Sequence, residues 1–556
     1  MRLNRHFLAI SALFIIGLAV RFVPLLYSSL PFNIDGFPLI RISEDIIDSG
    51  HWSNSYSDDT SDFIKYNAKM PVISLLISEF ALIFGRTPIE VTQYVIPFIS
   101  SIAIVILYLI AYRITGNELV SFFAGLALAL NGFYVYLGAA VMKETVAIVL
   151  LILGVYLFYG RDDPKKRALA AVIFIILALT HHLTIWISFV MISLLVFTIH
   201  GLHWYQGAFQ FKRFILDVLT GPFIFIFAVL YYELIDLTFY KKVSSLNDIA
   251  LFASVFILGI ILCISFSVPK KRKKKSKILF NKPLIFLIAG IALLLANHNE
   301  TIFIGTIRTT TSLLVYLIPY LILCLLGFMG LNIIATRKTE HKPFIVSITL
   351  APFLVITFAM LKGFDAFTFI LVYRSYDYID FGLAICAGIG AGYLINKSVK
   401  RLTGGGNIEK HQLKLKVTFS VAFLALCLST VPLAYNGQEF YGVQDATYEH
   451  EFEAMKWISQ NGADHHISTD ERLNDIMGPY FDLDTDKTLP WLLKYSRPLE
   501  NGTLLFVEDK WTGAGAQMSP MEPVKISENV FETTLKEKDV VYSTGGDGSD
   551  IYIIYV

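Results

Sequence analysis

Residues 7–36 read FLAISALFIIGLAVRFVPLLYSSLPFNIDG. The stretch from Phe7 to Tyr27 is long enough to cross the ~30 Å of a bilayer's hydrocarbon core as one helix. Behind it the chain turns polar and reaches an acid, Asp35, within Pro31-Phe32-Asn33-Ile34-Asp35-Gly36. Arg2 and Arg5 give the N-terminus a basic flank like that of a signal peptide. The apolar stretch outruns a usual signal core, however, and no small-x-small cleavage site follows it. A retained first span is expected, with a carboxylate held just outside the membrane behind it.

Working outward, thirteen such stretches run along the 556 residues, at roughly 7–27, 91–112, 118–136, 143–160, 168–181, 183–200, 214–234, 248–268, 283–297, 311–334, 343–361, 376–396 and 416–433. The composition agrees, with 55% hydrophobic and only 16% charged residues, where a soluble domain has about a quarter charged. The expected fold class is an α-helical polytopic membrane protein of about 13 transmembrane helices. The fifth stretch is short and is expected to end in a tight turn at His181-His182. The piece from Pro71 to Phe84 carries Glu79 and is too short to cross, so it reads as an interfacial helix. Cys263, Cys324, Cys386 and Cys427 each fall in a different stretch, without metal-ligand spacing, and read as apolar fillers. A net charge of +1 gives no pull toward nucleic acid.

Positive charge sets the expected orientation. With the N-terminus in the cytoplasm, the inner segments hold 26 Lys and Arg and the short outer loops about 10. Among the inner ones are Arg161, Lys165, Lys166 and Arg167, and the basic run at 270–275. That bias is the positive-inside rule. Thirteen crossings then leave the C-terminus outside. Residues 434–556 carry 22 acids and 9 basic residues with no span-length apolar run, so a separate water-facing α/β domain is expected there. Glu449 to Gln460 has helical periodicity, residues 466–470, 503–507 and 551–556 read as strands, and 543–548 reads as a turn. The expected division is thus a membrane domain, 1–433, with a first outer loop at 28–90, and an extracytoplasmic domain, 434–556.

Charge at membrane depth is costly, so each charged group near the outer face asks for a reason. The part of the first outer loop from Leu30 to Lys69 has seven acids, among them Asp35, Glu44, Asp45 and Asp48. Residues 37–47 are amphipathic, as for a helix lying flat on the membrane. Asp35 sits just before that helix and reads either as its N-cap or as a working carboxylate. Lys143-Glu144 stands at the mouth of the fourth span. Glu144 either pairs with Lys143 or Arg21 or contacts a ligand. His181 and His182 point about 100° apart on a helix, which suits phosphate contacts better than one shared metal. Arg374, in Leu371-Val-Tyr-Arg-Ser-Tyr-Asp-Tyr378, either snorkels or offers its planar fork to a phosphate.

Taken in order, these features resemble the GT-C superfamily of membrane glycosyltransferases. Arg21-Phe22 closes the first span and leads to Asp35. Two interfacial helices follow, the second starting near Met70-Pro71. Tyr112-Arg113 ends the next span, Glu144 opens the fourth, and Tyr373-Arg374 begins a span with Gly388, Gly390 and Gly392. The likeness covers the whole membrane part. Two departures separate the chain from oligosaccharyltransferases. Residues 434–556 have no Trp-Trp-Asp motif, and the second acidic site is Lys143-Glu144 rather than two acids one residue apart.

The resemblance implies a multi-pass cell-membrane enzyme that moves a single sugar from a polyprenyl (dolichyl or undecaprenyl) phosphate carrier to a glycan, lipid or protein acceptor on the outer face, with inversion. Asp35 would be the general base and Arg374 would meet the lipid phosphate. Glu144, Lys143, His181 and His182 would bind acceptor or donor. No cofactor is expected, and a divalent metal is left open. Membrane lipid is the surrounding partner and nucleic acid is not one. A transporter or flippase of lipid-linked saccharides is the rival. It would show broken Gly/Pro helices at mid-membrane and repeat symmetry, and the sequence displays neither. A third reading makes 434–556 a pure binding module.

Overall fold

A computed structural model describes residues 2–57, 60–237, 245–268, 278–299, 309–336, 340–363, 365–402, 409–441, 443–518, 523–546 and 549–556. The basic run at 270–275, the glycines at 404–406, and the acids at 58 and 59 lie outside the described residues. Each of the thirteen expected spans falls on helix. In chain order the membrane part has α1 (Arg2–Arg21), α2 (Gly36–Ser49), α3 (Asp62–Ala68), α4 (Val72–Phe84), α5 (Pro88–Thr115), α6 (Glu118–Leu130), α7 (Gly132–Ala139), α8 (Lys143–Tyr159) and α9 (Pro164–Thr180). It continues with α10 (His182–Tyr205), α11 (Phe211–Thr220), α12 (Ile224–Leu234), α13 (Leu246–Ser267), α14 (Ile278–Asn299), α15 (Thr311–Thr336), α16 (Lys342–Lys362), α17 (Ala366–Leu402) and α18 (Glu409–Leu428). Among the described residues, eight helices are long and apolar enough to cross a membrane, or up to ten if each of two bent pairs is one span. This is a multi-pass membrane protein.

Small residues bring the central helices together. A Cβ on Gly390 of α17 would stand 2.2 Å from the Leu326 carbonyl oxygen of α15, and one on Gly330 only 1.8 Å from that of Cys386. On the other side of α17, a Cβ on Gly388 would meet the backbone of Val120 and Ala124 of α6 at 2.7 Å. Lipid tails are as apolar as leucine, so helices here associate through close packing that only small residues allow.

The two bent pairs are α3 with α4, at 83°, and α6 with α7, at 61°. At the α6–α7 break the packing is specific. Several of the freed backbone groups are met by protein. Thr430 Oγ1 donates to the Leu130 carbonyl at 2.7 Å and accepts from the Gly132 N–H at 3.2 Å. The fully buried Arg21 donates to the carbonyls of Ala129 and Tyr134, each at 3.3 Å, and to Gly17 at 2.8 Å. Charged donors on carbonyls contribute about 1.5–3 kcal/mol each. Arg21 is thus a staple for the break, not a partner of Glu144.

The remaining segment forms α19 (Gly437–Tyr441), α20 (Glu449–Asn461), β1 (His466–Ser468), α21 (Glu471–Phe481), β2 (Thr485–Asp486), α22 (Leu489–Lys494), β3 (Thr503–Glu508), α23 (Glu528–Glu537), β4 (Asp539–Gly546) and β5 (Ser549–Tyr555). The strands make one sheet in the order β2-β1-β3-β5-β4. β1 is parallel to β2 and β3, and β5 is antiparallel to β3 and β4. The expected helix and three strands are present, but residues 543–546 belong to β4 rather than to a turn. Beneath the sheet lies a closed ionic cluster. Arg472 bonds Glu451 at 2.8 Å and Glu508 at 3.2 Å, and Lys510 reaches both acids at 2.8 Å.

That sheet unit also corrects the expectation for α2. The helix does not lie open on a membrane surface. Its Phe37 is fully buried, stacked on Phe452 at 6.0 Å and set edge-on to Tyr480 at 5.7 Å. Glu44 accepts from the Tyr480 hydroxyl at 3.1 Å. On its other side, Ser43 Oγ donates to the Ser74 carbonyl at 3.0 Å, and Ser74 and Ser78 donate back to the Leu39 and Ser43 carbonyls. Burying Phe37 alone stabilises the seat by about 1.5–3 kcal/mol.

Candidate functional site

Asp35 precedes α2 but does not cap it, since its side chain accepts no backbone bond there. The turn before it is tight. Asn33 has φ of +87°, a left-handed conformation that costs a non-glycine residue about 1–3 kcal/mol. Its side-chain oxygen accepts from the Asp35 N–H at 3.0 Å, an Asx turn that supports the strained residue. The carboxylate is therefore held by its backbone and left free at its oxygens. Burial pushes the Asp35 carboxyl above the usual carboxylate range. Arg374 and Lys143 pull it down, and Glu144 pushes it up.

Four residues singled out from sequence meet here from four parts of the chain. Arg374, from α17, places Nη2 3.9 Å from Asp35 Oδ2 and Nε 3.4 Å from Glu144 Oε1. Glu144, at the first turn of α8, also faces His181 Nε2 at 3.4 Å. α9 ends at Thr180, His181 is extended and α10 starts at His182, so the expected turn falls on the histidine pair. The pair diverges. His181 Nδ1 bonds Thr184 Oγ1 at 2.8 Å, and His182 Nδ1 bonds the Tyr66 hydroxyl at 3.2 Å. Lys143 is buried, has no hydrogen-bond partner among the described residues, and lies 4.0 Å from the Tyr66 ring centre.

The result is a small chamber with one partly exposed carboxylate, a guanidinium, a buried ammonium and imidazoles. Arg374 is thus the cation nearest both acids, and the Asp35 carboxylate accepts no hydrogen bond there. Among the described residues no group of three or more His, Cys, Asp or Glu side chains is arranged to hold a metal ion. The cation facing Asp35 and Glu144 is Arg374.

The solved structure of the archaeal oligosaccharyltransferase AglB from Archaeoglobus fulgidus, in complex with an inhibitory peptide and a dolichol-phosphate, is similar to this chain. Its TM-score is 0.50 at 11% identity, over 87% of this chain and 64% of that one. The fold is that of the GT-C glycosyltransferases. Identity this low speaks for the GT-C fold alone, and the chain spans about two thirds of AglB's length. ArnT from Cupriavidus metallidurans bound to undecaprenyl phosphate matches over 98% of both chains, with TM-score 0.42 and 13% identity. Arabinofuranosyltransferase AftD from Mycobacteria matches over 98% of this chain and 40% of its own, with TM-score 0.48 and 12% identity. No protein-family model and no curated protein sequence matches the chain.

Sequence reasoning missed several residues around Asp35 and Arg374. Tyr66 is an ordinary aromatic of the outer loop until its ring is seen beneath Lys143. Met142 Sδ accepts from Arg374 Nη1 at 3.7 Å. The Thr184 hydroxyl links His181 to Tyr378 OH at 2.5 Å. Asp445 reaches the turn before Asp35 from the sheet unit, and the sequence offered no sign of it among 22 acids. Tyr378 alone had a visible signal, one turn on from Arg374 on the same helix face.

Proposed function

We propose that this chain is a membrane glycosyltransferase that moves a single sugar from a polyprenyl phosphate to a hydroxyl-bearing glycan, lipid or protein, with inversion. The carrying observation is the convergence of Asp35, Arg374, Glu144 and His181 in one chamber of a GT-C fold. The acceptor oxygen attacks the anomeric carbon and the bond from that carbon to the phosphate oxygen breaks. Asp35 takes the acceptor's proton, and the carrier leaves as polyprenyl phosphate. A phosphate leaving group needs charge stabilisation more than a proton, and Arg374 with Lys143 supplies it. Glu144 orients Arg374 and His181, and His182 presents Tyr66 to the sugar side. The carrier's tail lies between spans. That AglB and ArnT are known with polyprenyl phosphates bound supports a donor of this kind.

The same reading puts the N-terminus in the cytoplasm and the chamber on the outer face, with 1–433 as the membrane domain and 434–556 outside. The bend between α6 and α7 is a feature that a transporter would also show. Thr430 and Arg21 occupy the Ala129 and Leu130 carbonyls and the Gly132 N–H there, the kind of group through which a transporter's broken helix would bind its substrate. The test offers proteoliposomes of the full chain radiolabelled hexoses and pentoses on dolichyl or undecaprenyl phosphate, with membrane extract as acceptor. Label in a new covalent linkage supports the transferase. Label that only crosses the bilayer on its original carrier refutes it.

A further inference from the structure

Asp445 has no task in the transfer step, yet it is bound into the turn that carries Asp35. Its Oδ1 accepts from Asn33 Nδ2 at 3.1 Å and from the Tyr136 hydroxyl at 2.8 Å. Asn33 Nδ2 also donates to that hydroxyl at 3.0 Å. The Asp445 carbonyl takes the Asn33 N–H at 2.9 Å. Asn33 thus has its N–H and its amide nitrogen both held by one residue, in a conformation that an unsupported Asn leaves. The other polar atom of its side chain, Oδ1, accepts from the Asp35 N–H at 3.0 Å.

The other end of this link is rigid. Gln444 N–H donates to Gln517 Oε1 at 3.0 Å, and Gln444 Nε2 donates to Ala446 O at 2.8 Å and to Glu451 Oε1 at 3.0 Å. Arg472 Nη1 reaches the Ala446 carbonyl at 3.4 Å. Asp445 therefore projects from a loop clamped on both sides by the buried ionic cluster. Phe37 and Glu44 anchor α2 to the same unit just past Asp35.

We propose that Asp445 is a positioning residue for the transfer: it holds Asn33 in its left-handed turn and so fixes where Asp35 points, making the sheet unit an integral part of the site. This rests on reading Asp35 as the base. The role is one of hydrogen-bond acceptance. Asparagine, whose oxygen can take both side-chain bonds, serves nearly as well, and alanine does not.

The experiment compares Asp445→Ala and Asp445→Asn in the full chain in nanodiscs. One readout is amide hydrogen exchange of peptides covering 30–40. The other is transfer from whichever labelled polyprenyl-phosphate sugar the parent turns over. In Asp445→Ala, exchange at Asn33 and Asp35 rises about tenfold or more as the turn opens. The kcat falls about ten- to a hundredfold, the cost of misplacing a reacting group by ~1 Å, while KM for the donor stays within about twofold. Asp445→Asn restores both readouts. Unchanged exchange in Asp445→Ala overturns the proposal, as does raised exchange with unchanged kcat. An Asp445→Asn variant as slow as Asp445→Ala also overturns it, because the charge would then be the working feature. A parent that transfers no sugar refutes the transferase reading instead, and exchange alone then decides whether Asp445 holds the turn.

Discussion

Arg374 stands 3.9 Å from Asp35, too far for a hydrogen bond and near enough to feel its charge. The same guanidinium is nearer to Glu144, at 3.4 Å through Nε. Glu144 thus anchors one edge of the fork, and the edge toward Asp35 stays loosely paired. The Asp35 carboxylate is thus left without a hydrogen bond from the guanidinium beside it.

Removing Arg374 should separate two effects. Arg374→Ala removes the guanidinium that stands 3.4 Å from buried Glu144, and breaking a buried pair costs about 3–5 kcal/mol. Adding Glu144→Gln should restore most of that stability. It should not restore binding of undecaprenyl phosphate or dolichyl phosphate, which weakens by roughly 10- to 100-fold, the worth of one charge-assisted contact. Calorimetry and a lipid-binding assay on the three variants check this. Parental affinity in the double variant would take Arg374 out of the phosphate site.

The acid side of the pH–rate profile should follow Asp35. A base works only when ionised, so activity rises as pH climbs through a carboxyl value that burial holds above the ordinary range. Lys143 lowers that value and Glu144 raises it. Lys143→Met should therefore move the rising limb to higher pH, and Glu144→Gln to lower pH. Steady-state rates from pH 4 to 8 decide it. Limbs that shift the same way in both variants would mean that some other group titrates.

The close helix crossings rank three glycines. A Cβ on Gly390 or Gly330 would meet carbonyl oxygens at 2.2 and 1.8 Å, and backbone cannot step aside. One on Gly392 would meet the Val120 Cγ2 methyl at 2.7 Å, and that side chain can turn. Gly390→Ala and Gly330→Ala should lower yield and thermal midpoint sharply, and Gly392→Ala only slightly. Size-exclusion and thermal unfolding give the order, and equal effects in all three would contradict the crossing geometry.

Hydropathy made the helices legible, because lipid demands the same run length from every span. The cost of charge near the bilayer made Asp35, Glu144, His181 and Arg374 stand out, and they do meet. The partner of α2 was not legible. An amphipathic face looks the same whether it faces lipid or Phe452 and Tyr480, so the helix read as a surface one. Asp35 likewise had the sequence position of an N-cap, and only the left-handed Asn33 shows why its side chain is turned away from that task. Asp445 lies in a strongly acidic segment where no single acid is marked. The last part of β4 was hidden by Thr544-Gly-Gly546, whose glycines read as a turn.

The most direct measurement is sugar transfer by Asp35→Asn beside carrier binding by the same protein. The account predicts a folded, membrane-inserted variant that binds undecaprenyl phosphate or dolichyl phosphate as the parent does and forms the new glycosidic bond about a hundredfold more slowly or worse. Transfer at the parental rate would contradict it.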